Sequence, residues 1–95
     1  MIIRIVKLTI QNDCIAIFKE KYAVAQKQIK QFEGCKELSL LADANNHNIF
    51  FTYSKWYSEQ HLNNYRNSSF FVSLWSTVKP MFAAKAEAWS LLDME

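Results

Sequence analysis

Apolar positions recur along the chain with two periods, and the switches between them mark out the elements. Ile2 to Thr9 is rich in β-branched residues and reads as a strand. Asn12 and Asp13 are the expected N-caps of a helix. Ile15, Phe18, Tyr22, Ala25, Ile29 and Phe32 then alternate spacings of three and four, which is one face of a long helix. Gly34 comes next and predicts a left-handed helix stop. Cys35 to Ala42 reads as a second strand, "DANNHN" as a turn in which Asn45 and Asn46 are turn formers, and Ile49 to Lys55 as the third strand of a hairpin. Ser58 is expected to cap a short helix carrying Leu62 and Tyr65 inward. Ser68 or Ser69 caps another, with Phe71, Leu74, Trp75 and Val78 on one face, and Pro80 breaks it. Ala86 to Asp93 completes the set as a last strand.

The order β-α-β-β-α-α-β is that of an α+β, ferredoxin-like split βαβ fold. It predicts one four-stranded antiparallel sheet with its helices on one face, in a single domain over residues 1–95. An antiparallel sheet with one wet face alternates apolar and polar residues. "IIRIV", "LSLLA", "IFFTY" and "AWSLL" instead place apolar residues on both faces. No helix is left to cover the second face, so a second copy of the chain is the expected cover, in a homodimer with two sheets face to face.

Composition sharpens this expectation. Half of the chain is hydrophobic (51%) and 15% is aromatic, which is rich for a domain of 95 residues that buries little core on its own. The net charge of +2 is spread over scattered lysines, so no nucleic-acid partner is expected. "MIIRIVKLTI" is too short and too charged for a signal peptide or a membrane span, and a cytoplasmic location is expected, with no membrane partner. Cys14 and Cys35 fall at opposite ends of the long helix, about 30 Å apart at 1.5 Å per residue, too far for a disulfide. Two cysteines and two histidines match no zinc spacing, and there is no Gly-rich phosphate loop. No metal, flavin or heme is expected.

Four pieces together resemble the antibiotic biosynthesis monooxygenase family, a branch of the dimeric α+β barrel proteins. They are "IVKLTI", "FEGCKELSLLAD", "NIFFTYSKWYSEQHLNNYRNSSFF" and "AAKAEAWSLL", and they cover nearly the whole chain. The resemblance implies a homodimer that oxidises a small electron-rich aromatic, quinol- or polyphenol-like, with O2. It implies no flavin and no metal, because a deprotonated substrate is itself the reductant. A related branch degrades heme with an Asn on the first strand and a Trp and a His around the last helix. Those positions fall near Val6 and on Tyr65 and Trp75, and none matches. Heme degradation is therefore not the expected activity.

Seven residues are candidates for the site, each with a plainer alternative. Tyr65 and His61 are the candidate catalytic residues. Tyr65 would orient substrate through its hydroxyl, and His61 would act as a general base near neutral pH. The plainer readings are a packed tyrosine and a solvated surface histidine. Arg4, Val6, Trp56, Phe71 and Trp75 are candidate pocket residues, against the alternative of ordinary core. Arg4 stands alone in an apolar strand, where it needs either an acidic partner or an anionic group of a substrate. Arg66 reads as a solvated or dimer-contact cation. A non-catalytic ligand-binding or interaction domain, or a small-molecule isomerase, remains open on the same fold.

Overall fold

The computed structural model describes residues 1–94. It contains β1 (Ile2–Thr9), α1 (Ile15–Ile29), β2 (Cys35–Ala42), β3 (Ile49–Trp56), α2 (Glu59–Arg66), α3 (Ser69–Val78) and β4 (Glu87–Leu92). The sheet order is β2-β3-β1-β4, antiparallel throughout, as the split βαβ pattern requires.

Local chemistry explains most of the boundaries. Gly34 has φ 87, and its carbonyl accepts from the Tyr57 amide at 2.7 Å, tying the end of the α1 segment to the end of β3. The Asp43 carboxylate accepts from the amides of Asn45 and Asn46 and closes the β2–β3 turn. Ser58 Oγ accepts from the His61 amide and Ser68 Oγ from the Phe71 amide, so both short helices begin on serine caps. Pro80 ends α3 in a single 3-10 turn, Lys79–Met81. The start of α1 differs from expectation. Asn12 and Asp13 lie inside a 3-10 turn, Asn12–Cys14, and Cys14 precedes α1 with no side-chain cap. The amide of Cys14 bonds instead to the carbonyl of Gln11.

Strand register sorts the side chains between two faces. Ile2, Arg4, Val6 and Leu8 of β1 pair with Trp56, Ser54, Thr52 and Phe50 of β3 and point toward the helices. The core on this side forms two clusters. Ile2, Ala25, Ile29, Trp56, Leu62 and Tyr65 make one; Leu8, Ile10, Phe18, Phe50 and Val78 make the other. Helix α1 belongs to both, and Tyr22 lies on its buried stripe between Phe18 and Ala25.

The opposite face carries no helix. Ile3, Ile5, Phe51, Tyr53, Trp89 and Leu91 occupy it, with Ile5 paired to both Tyr53 and Trp89. Trp89 and Leu91 remain 43% and 45% exposed, so this surface is apolar and uncovered in the single chain. Strand β2 contributes less than its sequence suggested, because Glu37 and Ser39 fall on this face beside Leu41. Lys7–Glu87 (3.6 Å), Lys55–Glu37 (3.8 Å) and Lys55–Asp93 (3.2 Å) place ion pairs around the apolar centre.

Candidate functional site

A cavity of about 360 Å³ separates the two core clusters and takes its walls from both. Its floor is the middle of the sheet, with Arg4 and Val6 from β1 and Thr52 and Ser54 from β3. Leu38 of β2 and Tyr22 of α1 close one side, and Tyr65, Phe71 and Trp75 form the roof. On the remaining side the wall is only Ala86 and Ala88, and every residue of β4 is exposed, so the cavity opens along that strand.

The aromatic wall is a continuous series of ring contacts. Trp56 stacks on Tyr65, with centroids 5.0 Å apart and planes inclined by 23°. Tyr65 meets Phe71 edge-on at 5.1 Å, and Phe71 stacks on Trp75 at 5.8 Å. Phe32 braces Tyr65 from behind at 5.0 Å. The Trp56 indole is fixed in turn by a 2.9 Å hydrogen bond from Nε1 to Ser54 Oγ, which explains the buried serine in β3. Rings held this way offer a flat apolar surface that loses little freedom when a planar molecule lies on it.

Polar groups on the walls are few. The Tyr22 hydroxyl is buried and has no hydrogen-bond partner. Burial, and to a smaller degree Cys35, pushes the Tyr22 phenol up to about 12. Burial raises the Tyr65 phenol as well, with Tyr22 and Cys35 adding to it. Both tyrosines are therefore protonated near neutral pH and act as hydrogen-bond donors rather than bases. Arg4 donates through Nη1 to Ser90 Oγ at 2.9 Å. Desolvation, then repulsion from Arg66, holds its pKa below the ordinary arginine value. Arg66, at the last turn of α2, lines the same cavity.

Six of the seven residues singled out in the sequence, Arg4, Val6, Trp56, Tyr65, Phe71 and Trp75, meet on this cavity. His61 does not line it. Its Nδ1 lies 2.7 Å from Ser58 Oγ, and its ring abuts Gly34. One position along α2 from Leu62 turns it by about 100°, away from the side that Leu62 and Tyr65 present to the sheet. Tyr22, Thr52 and Arg66 are lining residues that the sequence alone does not single out. Tyr22 sits in the apolar stripe of α1 like any core residue, and Arg66 looks like a solvated helix-end cation. Among the described residues, no group of three His, Cys, Asp or Glu side chains could hold a metal ion. No helix among them is long and apolar enough to cross a membrane.

The family model for antibiotic biosynthesis monooxygenases matches residues 1–84. The chain belongs to that family. Its fold is shared by distant structures of the same kind. A protein from Nitrosomonas europaea named "putative antibiotic biosynthesis monooxygenase" superposes with a TM-score of 0.92 at 17% identity, over 100% of both chains. A second structure, named antibiotic biosynthesis monooxygenase, gives 0.92 at 16% identity over 100% of both. A conserved protein from Methanosarcina mazei Go1 gives 0.90 at 17% identity, covering 96% of this chain and 91% of that one. At such identities the likeness carries the fold, not the substrate. No curated protein matches the chain in sequence.

Proposed function

We propose that this antibiotic biosynthesis monooxygenase family member is a cytoplasmic homodimer that oxidises a small electron-rich aromatic with O2 and no cofactor. The observation that carries the reading is the cavity itself. Its walls are mostly apolar and aromatic, with the Phe71–Trp75 stack on one side and a few polar residues, Arg4, Thr52, Tyr65 and Arg66, among them. For a quinol the balance is quinol + O2 → hydroxyquinone + H2O. One oxygen atom forms a new C–O bond at a ring carbon and the other leaves as water. The substrate supplies all four electrons, two as it becomes a quinone and two from the ring C–H. The protein's part is to exclude water, to hold the ring against Phe71 and Trp75, and to stabilise the ionised oxygen through the Tyr65 hydroxyl.

The partner follows from the open sheet face. Six apolar side chains ringed by ion pairs have the composition of an interface core with a polar rim. Covering such a face removes apolar surface from water, which favours association by roughly 25 cal/mol per Å² against an association cost of about 4–15 kcal/mol.

The test is oxygen uptake over a panel of quinols and polyphenols. The expected result is one O2 consumed per hydroxyquinone formed. A second reading has its own support, since among the described residues no His, Asp or Glu lines the cavity to take a proton. On that reading the protein binds such molecules without converting them, and the panel gives tight binding with no oxygen uptake.

A further inference from the structure

We propose that the molecule this cavity takes carries a carboxylate, held by Arg4 and Arg66, on an aromatic body. The inference rests on the cavity being the substrate site and narrows the substrate to aromatic acids.

Arg4 is the first reason. It stands on the inward row of β1, two residues from Ile2 and two from Val6, where an apolar side chain would pack without cost. A guanidinium that is partly withdrawn from water is favoured by an anion beside it. Its partner within the chain is a neutral hydroxyl, Ser90 Oγ. The ion pairs among the described residues are made by Lys7 and Lys55, and neither Arg4 nor Arg66 takes part.

Arg66 is the second reason. It lies on the same cavity and close enough to Arg4 to repel it. Two cations facing one space, with no carboxylate on its walls, is an arrangement that an anion relieves. A carboxylate suits these donors, because its two coplanar oxygens match the guanidinium fork. The rest of the lining asks for an apolar, planar remainder. The exposed β4 edge gives the acid a route in, past Ala86 and Ala88.

The experiment compares two probes of nearly equal shape that do not react with O2, 1-hydroxy-2-naphthoate and 1-hydroxy-2-naphthamide. Each is titrated calorimetrically into the full-length protein at low salt. A charge-assisted hydrogen bond is worth about 1.5–3 kcal/mol, so the acid should bind roughly 10- to 100-fold tighter than the amide. Arg4→Gln and Arg66→Gln should each remove most of that preference, weakening the acid far more than the amide. Arg66 is exposed, so its variant reads the effect even if Arg4→Gln proves unstable. Equal affinity for acid and amide, no binding of either, or a preference that survives both substitutions would overturn the proposal. The oxygenase reading fails separately. Acid preference without oxygen uptake sinks that reading alone, and uptake on neutral quinols without acid preference sinks this one alone.

Discussion

The Tyr65 ring lies flat against Trp56 at 5.0 Å while Phe32 and Phe71 meet it edge-on, so its position is fixed by three neighbours before its hydroxyl is considered. Ring and hydroxyl can therefore be separated by mutation. Tyr65→Phe keeps every ring contact and should change stability by about 1 kcal/mol or less. If the hydroxyl holds substrate in the transition state, its loss costs roughly 1–3 kcal/mol, or about 5- to 150-fold in rate. A thermal melt paired with oxygen uptake checks both, and an unchanged rate would remove Tyr65 from the site.

Tyr22 behaves differently, because its hydroxyl is unpaired within the chain. At neutral pH Tyr22→Phe relieves a buried orphan and should leave stability unchanged or raise it by up to about 1 kcal/mol. In alkali the signs are set by its phenol, pushed up to about 12. Below about pH 10 the group is neutral in both folded and unfolded chains, and its contribution is fully present. Between there and about pH 12 the unfolded chain loses a proton that the fold retains, so stability falls by about 1.4 kcal/mol per pH unit for this group. Tyr65 adds to the fall in the same direction. Urea unfolding across this range should show a shallower decline in Tyr22→Phe than in the parent protein.

Gly34 joins backbone geometry to a side chain. At φ 87 an alanine is strained on its own, and its β-carbon would overlap the His61 ring. Gly34→Ala should destabilise the protein by roughly 2–3 kcal/mol. Adding His61→Gly, which removes the overlapping β-carbon as well as the ring, should, measured against His61→Gly alone, recover the part due to overlap and not the part due to the backbone. Full recovery in the double variant would mean that the backbone is not strained there.

The uncovered sheet face makes a prediction about assembly. Ile5→Asp places a short carboxylate directly between its apolar cross-strand partners Tyr53 and Trp89. Burying an unpaired charge costs about 3–5 kcal/mol, which weakens a dimer by about two to four orders of magnitude. Sedimentation at micromolar concentration should then find folded or partly folded monomers, against dimers for the parent. A parent protein that is itself monomeric and well folded would refute the dimer.

Much of the fold is legible in the sequence because single residues carry its punctuation. Ser58, Ser68 and Pro80 each do locally what their chemistry predicts, whereas Gly34 takes its left-handed φ in the following turn, after α1 has already ended at Ile29 with Lys30 as a right-handed cap and Phe32 outside the helix. Asn12 and Asp13 do not, since a 3-10 turn uses backbone bonds where side-chain caps are expected. The aromatic wall is legible as a cluster, because α2 and α3 come after β3 without a long loop. Tyr22 is not. Nothing in a helical stripe tells whether a tyrosine hydroxyl will find an acceptor, as that depends on β2 and β3, more than ten residues away. Arg66 is hidden for the same reason: its facing Arg4 depends on how α2 crosses the sheet.

A core divided at its waist by a cavity also governs how the molecule comes apart. Helix α1 is anchored at Phe18 on one side of the waist and at Ala25 and Ile29 on the other, with Tyr22 between them. Leu74 and the Phe71–Trp75 stack join the two halves, and the gap beside them is left to be filled. A guest that fits acts as the missing stretch of interior and adds to the unfolding free energy by mass action, about 2.7 kcal/mol at a hundred times its dissociation constant. Heat resistance is in this sense a chemical sensor built into the fold. It allows an unbiased compound library to be sorted by melting temperature alone, before any reaction has been observed.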